Sequence, residues 1–360
     1  QMKTNRLFSL LPLLLLPLFG SATSIFDLLY QGEEQTPVRV TLLVPMDSLL
    51  AKVPGAQKST FIFEDHNGQQ QAWSPKVSVR GKFRRNRCEF APLKLDFSKK
   101  DLKAAGLAKH DKYKLVTPCS TDPKAGDLIL KEYLAYRTYA LLTNYHFRVQ
   151  LLEITYVDAD GKHPKRTETA FLIEDADEMA ERYGATELED ALGRPAEAFA
   201  PAAEISHALM QYLIGNGDWS LPLARNLKII ELPDGKLAPV GYDFDFSGWV
   251  GAPYASPSSD IGQQSIYERV YLGYAQEDKL LRQIATEYRE KRRPVINLIR
   301  NSKLEDLEKE ILLRWTGRFF AQLNRMNKME QSPLYDLLRG DIAEVIPPGA
   351  EARSFRSMGK

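Results

Sequence analysis

Residues 215–248 read GNGDWSLPLARNLKIIELPDGKLAPVGYDFDFSG, and this stretch decides how the rest of the chain is read. A helical pattern ends at the Gly-Asn-Gly turn, which presents Asp218. A loop follows and delivers Asn226. Two short β-type runs, 227–230 and 237–240, flank Pro233-Asp234-Gly235, a hairpin signal. The hairpin leads into Tyr-Asp-Phe-Asp-Phe, which sets Asp243 and Asp245 among aromatic neighbours. A carboxylate at the edge of a core is costly without a partner, and a divalent cation is an obvious one. Oxygen ligands alone suit Mg²⁺ or Mn²⁺, and Mg²⁺ favours one or two carboxylates completed by phosphate oxygens.

Outward from the hairpin, the chain changes character. Upstream, 204–214 has Ile205, Leu209 and Tyr212 at helical spacing, and 188–203 is an Ala-, Pro- and Glu-rich connection expected to be exposed. Strand-type runs occupy 38–44, 60–63, 76–80, 93–97, 113–117, 147–157 and 170–173. Between two of them lies a basic loop, 81–90 (GKFRRNRCEF), with Lys82, Arg84, Arg85 and Arg87. Those cations read either as a solvated charge run or as phosphate-binding forks. A helix is expected over 127–142, capped by Asp127, with Ile129, Tyr133, Tyr136 and Ala140 on its buried face. The acidic start of 174–182 reads as an exposed helix start. Downstream of 258 the pattern is mainly helical, clearest at 303–324, where Leu304, Leu307, Ile311, Trp315 and Phe319 are expected to form one face. The order predicts an α+β, bilobal chain: a strand-rich lobe with one helix over 23–175 and a mainly helical lobe over 176–360.

Lys3 and Arg6, an uncharged run over 7–19 and Gly20-Ser21-Ala22 have the layout of a secretory signal with cleavage after Ala22. The apolar run is shorter than the ~20 residues a spanning helix needs. The expectation is an exported protein, periplasmic or secreted, with no integral membrane segment after cleavage. In an oxidising compartment Cys88 and Cys119 are the only possible intramolecular pair, and closing that loop would stabilise the fold by about 3–4 kcal/mol. Two cysteines exclude a four-thiolate zinc site. Over the 360 residues, 48 Lys+Arg against 47 Asp+Glu argue against nucleic-acid binding through a global basic field. The five histidines have no paired metal-ligand spacing, and G-x-S-x-G is absent.

An Asp, then an Asn, then a hairpin, then an Asp is the arrangement of phosphoryl transfer on protein-kinase-like folds. Residues 85–90 (RNRCEF), 215–220 (GNGDWS) and 242–248 (YDFDFSG) resemble motifs of an exported branch of the CotH family of atypical, secreted protein kinases. The resemblance spans about residues 77–254 and implies a bilobal kinase-like fold that binds ATP with Mg²⁺ or Mn²⁺ and moves its γ-phosphoryl to a hydroxyl, with a protein Ser/Thr as the acceptor. It implies Asp218 as the catalytic-loop aspartate, Asn226 and Asp243 as metal ligands, and Asp245 as a second ligand or helper. Arg80, before Gly81, would lie where a phosphate-covering loop lies. Lys94 and Lys114 both stand as the nucleotide lysine, with Glu132 as its ion-pair partner. Residues 171–175 (FLIED), Glu174 among them, would form the adenine hinge. The chain departs from the conventional kinase pattern: it has no G-x-G-x-x-G before these lysines and no His-Arg before Asp218, and it reads Asp-Phe-Asp for Asp-Phe-Gly. A small-molecule kinase acting on a sugar or amino-alcohol, and a non-catalytic envelope binding protein on the same fold, are the two alternative readings.

Overall fold

The computed structural model describes residues 22–32, 35–81, 83–122 and 124–340. The expected signal segment, Ala22 apart, and Lys82 of the basic loop lie outside the described residues. The chain is α+β. It begins with helix α1 (Ile25–Leu29), closed by a capping box in which Ser24 and Asp27 each accept the other's backbone N–H. Strand β1 (Val38–Val44), helix α2 (Met46–Leu50) and strands β2 (Gln57–Lys58), β3 (Thr60–Glu64), β4 (Gln70–Trp73) and β5 (Lys76–Val79) follow. Then come α3 (Phe83–Arg87), β6 (Leu93–Asp96), α4 (Lys99–Ala104), β7 (Lys112–Val116) and the long helix α5 (Ala125–Leu142). The second half carries β8 (Val149–Asp158), β9 (Arg166–Ile173), α6 (Ala176–Arg182), β10 (Thr186–Glu187), α7 (Pro201–Ile214) and the hairpin β11 (Leu227–Glu231) and β12 (Leu237–Gly241). Helices α8 (Asp278–Glu290), α9 (Arg292–Arg300), α10 (Asp306–Asn327) and α11 (Leu334–Gly340) complete the described chain.

The first nine strands form one sheet in the order β2-β5-β6-β7-β9-β8-β1-β3-β4. Only β1 and β8 pair in parallel; the remaining neighbours are antiparallel. Because side chains alternate along a strand, the register sorts the sheet into two faces. Leu93, Leu95, Tyr113, Leu115, Leu152 and Leu172 enter one buried cluster with α1, α2 and α4. Val116, Val149, Leu151, Phe171 and Ile173 enter another, built mainly from α5 and the helices and hairpin of the second half. Lys94 and Lys114 are directly opposed in register on this second face.

Two patterns differ from the sequence reading. Helix α5 starts at Ala125, so Asp127 sits in its first turn and is not its cap. Nearly its whole circumference is buried, including Lys131, Glu132, Arg137 and Thr138, because it packs on the sheet and is also flanked by α7 and α9. In α10 the buried stripe runs Leu312, Thr316, Phe319, Phe320, Leu323 and Met326, while Leu307 and Ile311 are exposed. An i, i+4 row gains about 40° of helical phase at each step, so a row begun at Leu307 faces solvent at one end and the core at the other. The predicted Cys88–Cys119 disulfide is formed, with Cα atoms 4.6 Å apart. Among the described residues no helix is long and apolar enough to cross a membrane.

Candidate functional site

Helix α7 ends at Gly215, whose φ of +63° starts the turn. A Cβ there would meet the Trp315 ring at 2.9 Å, so both conformation and space select glycine. Asn216, buried and bonded through Nδ2 to Gln211 Oε1 at 2.9 Å, accepts the backbone N–H of Asp218 on its Oδ1, also at 2.9 Å. Trp219 anchors the next turn in the core against His207, with ring centroids 4.7 Å apart. A paired turn, Ser220 with Arg225, then returns the chain toward Asp218.

Asn226 immediately precedes β11 and Asp243 follows β12, and Tyr242 N–H donates to the Asn226 carbonyl at 3.1 Å. The hairpin therefore brings the two residues to its open end. Both have left-handed backbones, φ +54° for Asn226 and +63° for Asp243. Asn226 Nδ2 donates to the Asp218 carbonyl at 2.7 Å and to its carboxylate at 2.9 Å. Arg225 Nε stands 3.5 Å from the other Asp218 oxygen. Burial pushes the Asp218 carboxyl above its ordinary range; Arg225 opposes the shift and the charge of Asp243 adds to it. Asp243 is held by its backbone N–H, which donates to the Tyr136 hydroxyl at 2.9 Å, and by Phe244, whose ring lies 4.6 Å from that of Tyr136. Among the described residues neither the Asp243 carboxylate nor Asn226 Oδ1 accepts a hydrogen bond, and Asp243 forms no ion pair.

The two candidate lysines part company here. Lys94 pairs with Asp96 at 3.7 Å and is only half-buried. Lys114 lies with Nζ 3.7 Å from the centre of the Tyr242 ring, next in sequence to Asp243. Burial lowers the Lys114 pKa to about 7, with Arg80 adding to the shift and Asp243 opposing it. Arg80 carries no hydrogen bond or ion pair on its side chain among the described residues, and its charge also acts on Glu132 and Tyr242. Asp218, Asn226, Asp243, Lys114 and Arg80 thus share one neighbourhood.

Glu132 and Asp245 belong to its buried side. Neither lysine pairs with Glu132; its ion-pair neighbour is Arg84, at 3.8 Å. Arg84 also stands 3.9 Å from Asp245, which accepts the Tyr254 hydroxyl at 3.0 Å. Burial, then the charge of Asp243, pushes the Asp245 carboxyl up to about 6 against Arg84 and Tyr254. Burial and Asp245 hold Glu132 well above the carboxylate range. Arg84 is therefore a buried structural cation and not an exposed phosphate fork; residues 83–87 form helix α3 where the sequence suggested a loop. Its burial was foreshadowed only by the apolar Phe83, Cys88 and Phe90 around it.

Glu174 lies in a separate cluster of charges. Its carboxylate is buried between Arg148 and Arg182, at 2.8 and 3.0 Å. The acidic run it opens is not an exposed helix start: Glu174, Asp175 and Glu178 are buried, with Glu178 held by Ser24, Tyr113 and Arg148. Among the described residues no group of three or more His, Cys, Asp or Glu side chains is arranged to hold a metal ion. A scan against protein-family models and a search of curated proteins found no match to this chain.

Proposed function

We propose that the chain is a kinase-like phosphotransferase with a bilobal arrangement, in which the face of β6 and β7 that carries Lys94 and Lys114 meets the open end of the β11–β12 hairpin. One observation carries the reading. Asn226 spends its amide nitrogen on Asp218, leaving Asn226 Oδ1 and the Asp243 carboxylate as oxygen donors without a partner among the described residues, at the same end of one hairpin.

Two protein oxygens are what Mg²⁺ or Mn²⁺ takes when phosphate oxygens complete its shell, as for a metal that arrives with a nucleotide. Bound there, ATP with its metal would supply the phosphoryl group and neutralise its developing charge. Asn226 and Asp243 would hold that metal. Lys114 and Arg80 would face the phosphates, Lys114 being the better placed of the two lysines because Lys94 is engaged by Asp96. Asp218, positioned by Asn226 and made a stronger base by burial, would orient the acceptor hydroxyl and take its proton. The left-handed backbones of Asn226 and Asp243 support the reading, since such strain persists where the surroundings enforce it and gathers at functional sites.

The test is a thermal shift of the full chain with ATP and Mn²⁺, followed by transfer of labelled γ-phosphate. The wild type should be stabilised only when nucleotide and metal are both present. Asp243→Ala should lose that shift, and Asp218→Ala should keep it but lose transfer by about 10²-fold or more. A wild-type chain that binds no nucleotide would end the proposal. Binding without transfer would leave a nucleotide-binding module.

A further inference from the structure

We propose that Arg84 is a positioning residue for this site and that the Cys88–Cys119 disulfide regulates the site by fixing Arg84 in place. The regulation rests on the phosphotransferase reading; the ion-pair geometry does not.

Arg84 comes from α3, Glu132 from α5, and Asp245 from the segment that follows the hairpin and carries Asp243. All three side chains are almost fully buried. Among the described residues Arg84 is the one cation in ion-pair range of either carboxylate. Its other amino group donates to the Thr117 carbonyl at 2.8 Å. Among the described residues Glu132 Oε1 and Arg84 Nε have no hydrogen-bond partner, so the contact depends on where α3 sits and not on a saturated network. A buried carboxylate that loses its cation is left with an uncompensated desolvation cost. Moving Arg84 would therefore disturb α5 at Glu132 and the Asp243–Asp245 segment together.

The disulfide bears directly on that position. Cys88 follows α3, and its N–H donates to the Arg84 carbonyl at 2.9 Å. Cys119 lies just beyond Thr117, and its carbonyl accepts the N–H groups of Glu89 and Phe90 at 2.8 and 3.3 Å. The bridge thus ties the end of α3 to the connection between β7, which carries Lys114, and α5, which carries Glu132. A five-residue helix has little stability of its own and depends on such tethers. A dithiol reductant would cleave the S–S bond by exchange, leaving both cysteines as thiols and the reductant as its own disulfide. That releases α3 while leaving every proposed metal and phosphate ligand chemically unchanged.

The experiment has two arms on the full chain. In the nucleotide arm, ATP affinity with Mn²⁺ is measured for wild type, Arg84→Met, Cys88→Ala/Cys119→Ala and the combination of all three substitutions. Disulfide loss should weaken binding about tenfold in the wild-type background and less than about twofold once Arg84 is gone, because both changes remove the same contact. Equal losses in both backgrounds, or wild-type affinity in Arg84→Met, overturn the proposal. The melting-temperature arm needs no nucleotide. Arg84→Met should lower the midpoint, and adding Asp245→Asn should recover part of the loss, since the buried carboxylate that Arg84 faces at 3.9 Å is then replaced by a neutral amide. Strict additivity overturns the positioning role even if nucleotide binding is absent for other reasons. Should Arg84→Met fail to fold, Arg84→Lys keeps the charge without the fork and should give a smaller loss of the same sign in both arms.

Discussion

Asp243 shows what one residue can and cannot reveal in a sequence. Its setting was legible: a carboxylate flanked by Tyr242 and Phe244 at the end of a hairpin. Its left-handed backbone was not, because it goes with tertiary contacts, the Asp243 N–H on the Tyr136 hydroxyl 107 residues away and the Phe244 ring packed against the same tyrosine. Arg84 is the reverse case. Its side chain stood in a charge run that suggested solvent or phosphate, and tertiary packing turned it inward onto Glu132 and Asp245. Lys114 carries the sharpest prediction at this scale. A lysine with its pKa lowered to about 7 by burial is mostly neutral at pH 8. An arriving polyphosphate favours the ammonium form, so ATP binding at pH 8 should take up protons, approaching one per site. At pH 6 the amine is already charged and uptake from this source vanishes. Calorimetry in buffers of different ionisation enthalpy should show a buffer-dependent binding heat at pH 8 that Lys114→Met abolishes. A buffer-independent heat in the wild type would remove Lys114 from the proposed phosphate site.

Element by element, strands were read better than helices. Runs such as 38–44 and 227–230 reappear as β1 and β11 because β-branched residues and a tight turn specify them locally. The acidic start of α6 and the whole of α3 were misread because their charges are neutralised by partners far along the chain, Arg148 and Arg182 for Glu174 and two carboxylates for Arg84. Helix α10 tests the same lesson quantitatively. Sequence spacing put Leu307 and Phe319 on one face, whereas Leu307 is 62% exposed and Phe319 fully buried. Leu307→Lys should change unfolding free energy by no more than about 0.5 kcal/mol. Phe319→Ala should cost about 3–5 kcal/mol, the usual loss for emptying a buried aromatic site. Denaturant melts of the two variants check this, and comparable losses would mean that α10 is rotated about its axis from the position described.

Across the whole molecule, the nine-stranded sheet is the element both buried clusters share. The sequence indicated many strands followed by many helices, and hence an α+β chain. It could not show that Phe171 and Leu172, adjacent on β9, face different cores, because a nearly continuous apolar run does not say which face is which. This arrangement bears on cooperativity. If β9 couples the clusters, damage to either side is transmitted through the same strand ladder to β7 and β8. Phe171→Ala and Leu172→Ala, each expected to cost about 2–5 kcal/mol, should then shift one common unfolding transition. That transition should have the same midpoint whether followed by far-ultraviolet dichroism or by tryptophan fluorescence. Three of the four tryptophans, Trp219, Trp249 and Trp315, pack in or against the cluster that contains Phe171, so fluorescence reports mainly on that side. Midpoints that separate, with fluorescence moving for Phe171→Ala but not for Leu172→Ala, would show two cores that unfold independently and a sheet that only borders them.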